Sequence, residues 1–96
     1  MQILKPHDQY GWITAIIDDR WVIAKVYNET SDYGIKNGRV SKLAISKTNT
    51  RDPSLPYFPQ ICYNYDRGLD FNRAPRGLVN SIVKQLEELP LLDFNE

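Results

Sequence analysis

The stretch Tyr10-Gly11-Trp12-Ile13-Thr14-Ala15-Ile16-Ile17-Asp18-Asp19-Arg20-Trp21-Val22-Ile23-Ala24-Lys25-Val26-Tyr27 decides the fold. It is two runs of β-branched and aromatic residues around the polar break Asp18-Asp19-Arg20, which reads as a β-hairpin. With Asp18-Asp19 as a two-residue loop, Ile17 pairs with Arg20, Ile16 with Trp21, Thr14 with Ile23, Trp12 with Lys25 and Tyr10 with Tyr27. Side chains alternate across a strand, so one face gathers Tyr10, Trp12, Trp21, Lys25 and Tyr27. The other face carries Gly11, Ile13, Ala15 and Ile17 against Val26, Ala24, Val22 and Arg20. That second face is small and aliphatic and suits close packing of a helix.

Downstream of the hairpin, Asn28 to Gly38 reads as a polar loop in which Gly34 and Gly38 supply positive φ and Asn37-Gly38 a turn. Val40 to Ser46 is a third strand, with Leu43 and Ile45 on one side and Lys42 and Ala44 on the other. Lys47 to Pro59 is proline-rich and reads as a loop. Gln60 to Tyr65 is a fourth strand, with Ile61, Tyr63 and Tyr65 on one face and Cys62 and Asn64 on the other. Leu78, Val79, Ile82, Val83, Leu86 and Leu89 carry the spacing of an amphipathic helix between Pro75 and Leu89, with Asn72 or Ala74 as its cap and Pro90 as its stop. The expected fold is therefore α+β: a four-stranded antiparallel sheet in the order β-β-β-β-α, its one C-terminal helix packed on one face. Residues 1–96 form a single domain, with 1–8 and 91–96 as flexible termini, although Leu91, Leu92 and Phe94 offer apolar groups for docking.

Composition narrows the function classes. A chain of 96 residues with 42% hydrophobic content supports one modest core. Its apolar runs, such as Ile13 to Ile17, fall far short of the roughly 20 residues a membrane helix needs. No basic start followed by an apolar stretch marks a secretion signal. The net charge is zero, but residues 20–51 hold seven bases and two acids, net +5, between an N-terminal −2 and a C-terminal −3. The lone Cys62 precludes an internal disulfide and reads as a buried structural thiol, in keeping with the cytoplasm. The single His7 reads as an exposed loop residue near the terminus. No catalytic centre, metal site or cofactor motif emerges.

Two polar clusters stand out. Asp66-Arg67-Gly68-Leu69-Asp70 reads as a strand ending in a turn, with Gly68 reversing the chain and Arg67 paired to an acid. Asp32 with Arg39 reads as a loop tied by an ion pair, with Arg39 also within reach of Asp66 or Asp70. Acid–base chemistry from Asp66, Arg67 and Asp70 is the least favoured use of these residues. The candidate partner-binding surface is the outward hairpin face, Tyr10, Trp12, Trp21, Lys25 and Tyr27, joined by Lys42, because exposed aromatics among bases mark contact surfaces. Three occupants fit it: a segment of the chain itself (the N-terminal residues or Lys47–Pro59), a second copy as a homodimer, or a foreign partner. Nucleic-acid binding through Lys25, Lys36, Arg39, Lys42 and Lys47 is the alternative.

Lys25-Val26-Tyr27, Ser31-Asp32-Tyr33-Gly34-Ile35, Gly38-Arg39-Val40-Ser41-Lys42-Leu43 and Tyr63-Asn64-Tyr65-Asp66-Arg67-Gly68 resemble an uncharacterised family of small phage, prophage and plasmid proteins of Gram-positive bacteria. The resemblance runs from Trp21 to Asp70 and into the helix. It departs at Gly68-Leu69-Asp70, where that family often reads Gly-Trp-Asp. It implies a non-enzymatic accessory protein of a mobile element, made in the bacterial cytoplasm and engaging a host or phage protein.

Overall fold

The computed structural model describes residues 1–91; the expectation for 92–96, including docking by Leu92 and Phe94, falls outside the described residues. The fold is α+β, but the antiparallel sheet has six strands rather than four, in the order β1-β2-β3-β4-β5-β6. They are β1 (Gln2–Lys5), β2 (Trp12–Ile17), β3 (Arg20–Val26), β4 (Val40–Ser46), β5 (Ile61–Asp66) and β6 (Leu69–Asn72), followed by α1 (Leu78–Glu87). Every strand pairs with its neighbour in sequence.

The β2–β3 register is the expected one, from Ile17 opposite Arg20 to Trp12 opposite Lys25. Asp18 and Asp19 both adopt left-handed backbone, φ 52° and 61°. That gives the hairpin the turn whose twist matches its strands, and aspartate tolerates the conformation better than most residues. The ladder stops short of the expected Tyr10–Tyr27 pair. Asp8 Oδ1 accepts the backbone N–H groups of Tyr10 at 2.8 Å and Trp12 at 3.0 Å. This turn, with Gly11 at φ 92°, takes Tyr10 out of the strand.

The two additional strands are the edges. β1 is four residues long and exposed throughout, so no burial pattern marks it. β6 follows a turn made by Arg67 at φ 56°, not by Gly68 as expected.

One face of the sheet packs against α1. Ile13, Ala15, Ile17, Val22, Ala24, Val26, Leu43 and Ile45 form a core with Ile82, Val83 and Leu86 of the helix; Leu78, Val79 and Leu89 pack at its margin. The helical stripe is as expected, but α1 is shorter than Pro75–Leu89. Gly77, at φ 86°, is its N-cap, while Asn72 Oδ1 accepts the Ala74 N–H in a separate turn.

A bulge reverses part of β5. Ile45 faces Tyr63, yet Ser46 faces Ile61. The extra residue, Cys62, joins Tyr63 in the core, and the fully buried Ile61 is left outside that cluster. The expected placement of Ile61 with Tyr63 therefore fails, because alternation breaks at a bulge.

Gly34 and Gly38 are needed for close approach rather than for positive φ. Their φ values are −75° and −95°; Lys36 and Asn37 between them take the left-handed conformation.

Candidate functional site

The register aligns Trp12, Lys25, Lys42 and Asp66 in one row across β2, β3, β4 and β5, on the face away from α1. The Lys25 ammonium lies 5.7 Å from the Trp12 ring and 5.3 Å from the Tyr27 ring, and the Lys42 ammonium lies 5.7 Å from Trp12. Two cations thus share one indole, each within cation–π range. Like charges directly opposite on a sheet repel. The nearby carboxylate is Asp66, 3.5 Å from Lys42 Nζ and 3.6 Å from Arg67 Nε. One acid faces three bases, so the row keeps a positive excess. The Lys25 ammonium beside Tyr27 holds that phenol below its ordinary value.

The remaining residues of the expected surface separate from this row. Tyr10 stands in the Asp8 turn and is 63% exposed. Trp21 lies at the other end of the face, where residues 47–60 fold over it. The Arg51 guanidinium sits 5.7 Å from the Trp21 ring and 4.9 Å from the Tyr57 ring. Phe58 meets Tyr57 and Phe71 edge-on. Gln60 clasps the loop: its side chain accepts the Asp52 N–H and donates to the carbonyls of Asp52 and Pro56. The chain itself thus covers one end of the aromatic face and leaves Trp12, Lys25, Tyr27 and Lys42 open at the other.

Arg39 does not pair with Asp32, Asp66 or Asp70. Its guanidinium donates to the carbonyls of Tyr27 (2.8 Å), Glu87 (2.9 Å) and Leu89 (2.8 Å), which ties β4 to the C-terminal end of α1. In return the Glu87 carboxylate accepts the Arg39 N–H at 2.8 Å and the Val40 N–H at 3.1 Å. Unpaired carbonyls at a helix end attract a cation, and this competes successfully with the exposed Asp32. Lys36 Nζ donates to Asn80 on α1. The five cations Lys25, Lys36, Arg39, Lys42 and Lys47 therefore do not form one patch. Asp66, Arg67 and Asp70 are exposed at the β5–β6 turn, and Asp70 accepts from Asn64 at 2.6 Å.

Cys62 is buried; burial pushes its thiol up, and Sγ contacts the Ser46 carbonyl at 3.6 Å. His7 is half-buried rather than exposed, and burial pushes its imidazole down. Among the described residues no group of three or more His, Cys, Asp or Glu side chains could hold a metal ion. None of their helices is long and apolar enough to cross a membrane.

A family model described as a domain of unknown function, DUF7678, matches residues 11–88. The chain belongs to the DUF7678 family. No curated protein and no solved structure matches it. The DUF7678 span opens at Gly11, within the Asp8 turn, and closes at Glu88, one residue past α1. It contains the Trp12–Asp66 row, the covering loop and the Arg39–Glu87 clamp, and leaves β1 outside.

Glu87, Arg51 and Tyr57 were not singled out in the sequence. Glu87 reads as the wet side of α1, and Arg51 and Tyr57 lie in a loop without periodicity. Their roles arise only from tertiary contact.

A buried phenol of the DUF7678 core gives a pH dependence. Burial pushes Tyr63 up to about 12, with the Tyr65 phenol adding to the effect. An unfolded tyrosine titrates near 10. The folded state holds the proton more tightly, so this stabilisation is fully present below about pH 10 and is lost as pH rises toward about 12. Tyr63→Phe is expected to flatten the fall of denaturant-measured stability across that window. An unchanged slope would assign the loss to other groups.

Proposed function

We propose that this chain is a small non-enzymatic accessory protein of a phage or other mobile element, acting in the cytoplasm of a Gram-positive host. In this reading it binds an acidic segment of a host or phage protein through Trp12, Lys25, Tyr27 and Lys42. The observation that carries the reading is the open end of the outer face, where two opposed lysines share one indole and the nearby carboxylate, Asp66, pairs with Lys42 and Arg67 but not with Lys25. An arriving carboxylate relieves the lysine–lysine repulsion, and the two rings supply rigid contact area. Tyrosine and tryptophan among cations are the composition of binding hot spots. The mobile-element setting rests on the resemblance of the segments from Lys25 to Gly68.

Site-specific photo-crosslinking from position 10 in host cells tests the proposal. Tyr10 is exposed and only two residues from Trp12. The expected result is a discrete cross-link to one protein, mapped to an acidic segment, with yield falling at least about tenfold in the double variant Lys25→Glu, Lys42→Glu. Cross-links that are diffuse, or that survive the charge reversal, overturn it.

A further inference from the structure

The covered end of the outer face is not closed. Between β1 and the 47–60 loop lies a cleft of about 560 Å³ lined by Leu4, Lys5, Trp21, Ile23, Arg51 and Tyr57 among others. Its two charged lining residues are both cations. Among the described residues the ion pairs are Lys42–Asp66 and Arg67–Asp66, so neither Lys5 nor Arg51 has a carboxylate within salt-bridge reach. Asp52, next in sequence to Arg51, gives its carboxylate to the Ser54 N–H and hydroxyl at 2.9 and 2.6 Å. Arg51 Nε is buried with no hydrogen-bond partner among the described residues.

A guanidinium held by two aromatic rings, half-withdrawn from water and without a counter-ion among the described residues, is preorganised for an oxyanion. Its planar fork matches the oxygens of a phosphate, and Lys5 adds a second positive charge. Apart from the polar Thr14, the remaining walls, Leu4, Ile23, Pro53, Trp21 and Tyr57, are apolar or aromatic and suit a flat ring. The volume lies in the range of small-ligand pockets, about 300–1,000 Å³.

We infer that this cleft binds a nucleoside monophosphate unit, with Arg51 and Lys5 receiving the phosphate and Trp21 and Tyr57 the base. The unit is either a free nucleotide or one residue of a single strand, since both present the same phosphate and ring. The site shares no residue with the Trp12–Lys25–Tyr27–Lys42 patch, and it stands or falls independently of that patch.

Tryptophan fluorescence tests the site directly, because Trp12→Phe leaves Trp21 as the sole indole. Adenosine 5′-monophosphate, adenosine and a short oligothymidylate are titrated at low and at physiological salt. The expected result is a saturable change in Trp21 emission with the monophosphate, the strand or both, and binding at least about tenfold weaker for adenosine, which lacks the charged group. A response to the monophosphate assigns the free nucleotide; a response to the strand alone, weakening as salt rises, assigns the polymer. Arg51→Gln is expected to weaken either response at least about tenfold, and Lys5→Gln, on the exposed edge strand, severalfold. Silence toward both phosphorylated probes overturns the inference. So does a response left intact in Arg51→Gln and Lys5→Gln.

Discussion

Replacing Gly34 with alanine is expected to cost about 3–4 kcal/mol of folding free energy, a large share of the roughly 5–15 kcal/mol that holds a domain together. The Cβ of an alanine there would fall far inside contact distance of the Gly38 carbonyl oxygen. That obstacle is backbone, which cannot swing aside as a side chain can. The same carbonyl accepts the Ser31 N–H at 3.1 Å and closes the 31–38 loop. Moving it opens the loop and shifts the buried Ile35, a member of the core. For a domain of this size the thermal midpoint should fall roughly 12–30 °C. Urea denaturation of Gly34→Ala beside the parent measures the loss; a change below about 1 kcal/mol would show that the loop relaxes freely and that the close approach is not required.

Truncating Arg39 to alanine is expected to cost about 2–4 kcal/mol, because the carbonyls of Tyr27, Glu87, Leu89 and Pro90 lose a charged donor together, and the last three lie at or just past the end of α1. Part-burial of the clamp allows water to replace some of these bonds, which keeps the loss below that of a fully buried network. Arg39→Lys should recover less than half, since an ammonium lacks the fork. The Glu87 half of the clamp makes a sharper test. A Cβ at Gly38 would overlap Glu87 Oε2, the oxygen that accepts the N–H groups of Arg39 and Val40. Gly38→Ala and Glu87→Ala therefore damage the same two hydrogen bonds. Their double variant should be about 1–2 kcal/mol more stable than the summed single losses imply. Additive losses would mean that Gly38 is constrained by something other than Glu87.

The parts of the fold legible from sequence are those fixed by local chemistry. The β2–β3 register follows from a two-residue Asp-Asp loop and strict alternation. The stripe from Leu78 to Leu89 follows from helical spacing, and the bounds Val40–Ser46 were expected as they stand. Elements set by tertiary context were not legible. β1 is too short and too exposed to alternate, and β6 hides behind a turn made by an arginine. The faces of Ile61 and Cys62 exchange at a bulge that no residue type announces. Trp12, Lys25 and Lys42 come together because register places them in one row, and Tyr27, just past the end of β3, joins them through its contact with Lys25. Trp21 does not join them because the covering loop takes it, and the pairing of Arg51 with Trp21 and Tyr57 spans segments whose contact no local pattern encodes. Arg39 shows how an expected ion pair loses to an unfilled helix end.

Both outermost strands are four residues long, and each joins the sheet through a shifted register, between Ile3 and Lys5 in β1 and between Asn64 and Tyr65 where β6 pairs. Short, irregular borders make poor templates for a foreign strand. A sheet built only of sequential neighbours necessarily leaves two borders open; here both are blunted, which guards the molecule against growing into fibrils by adding strand upon strand.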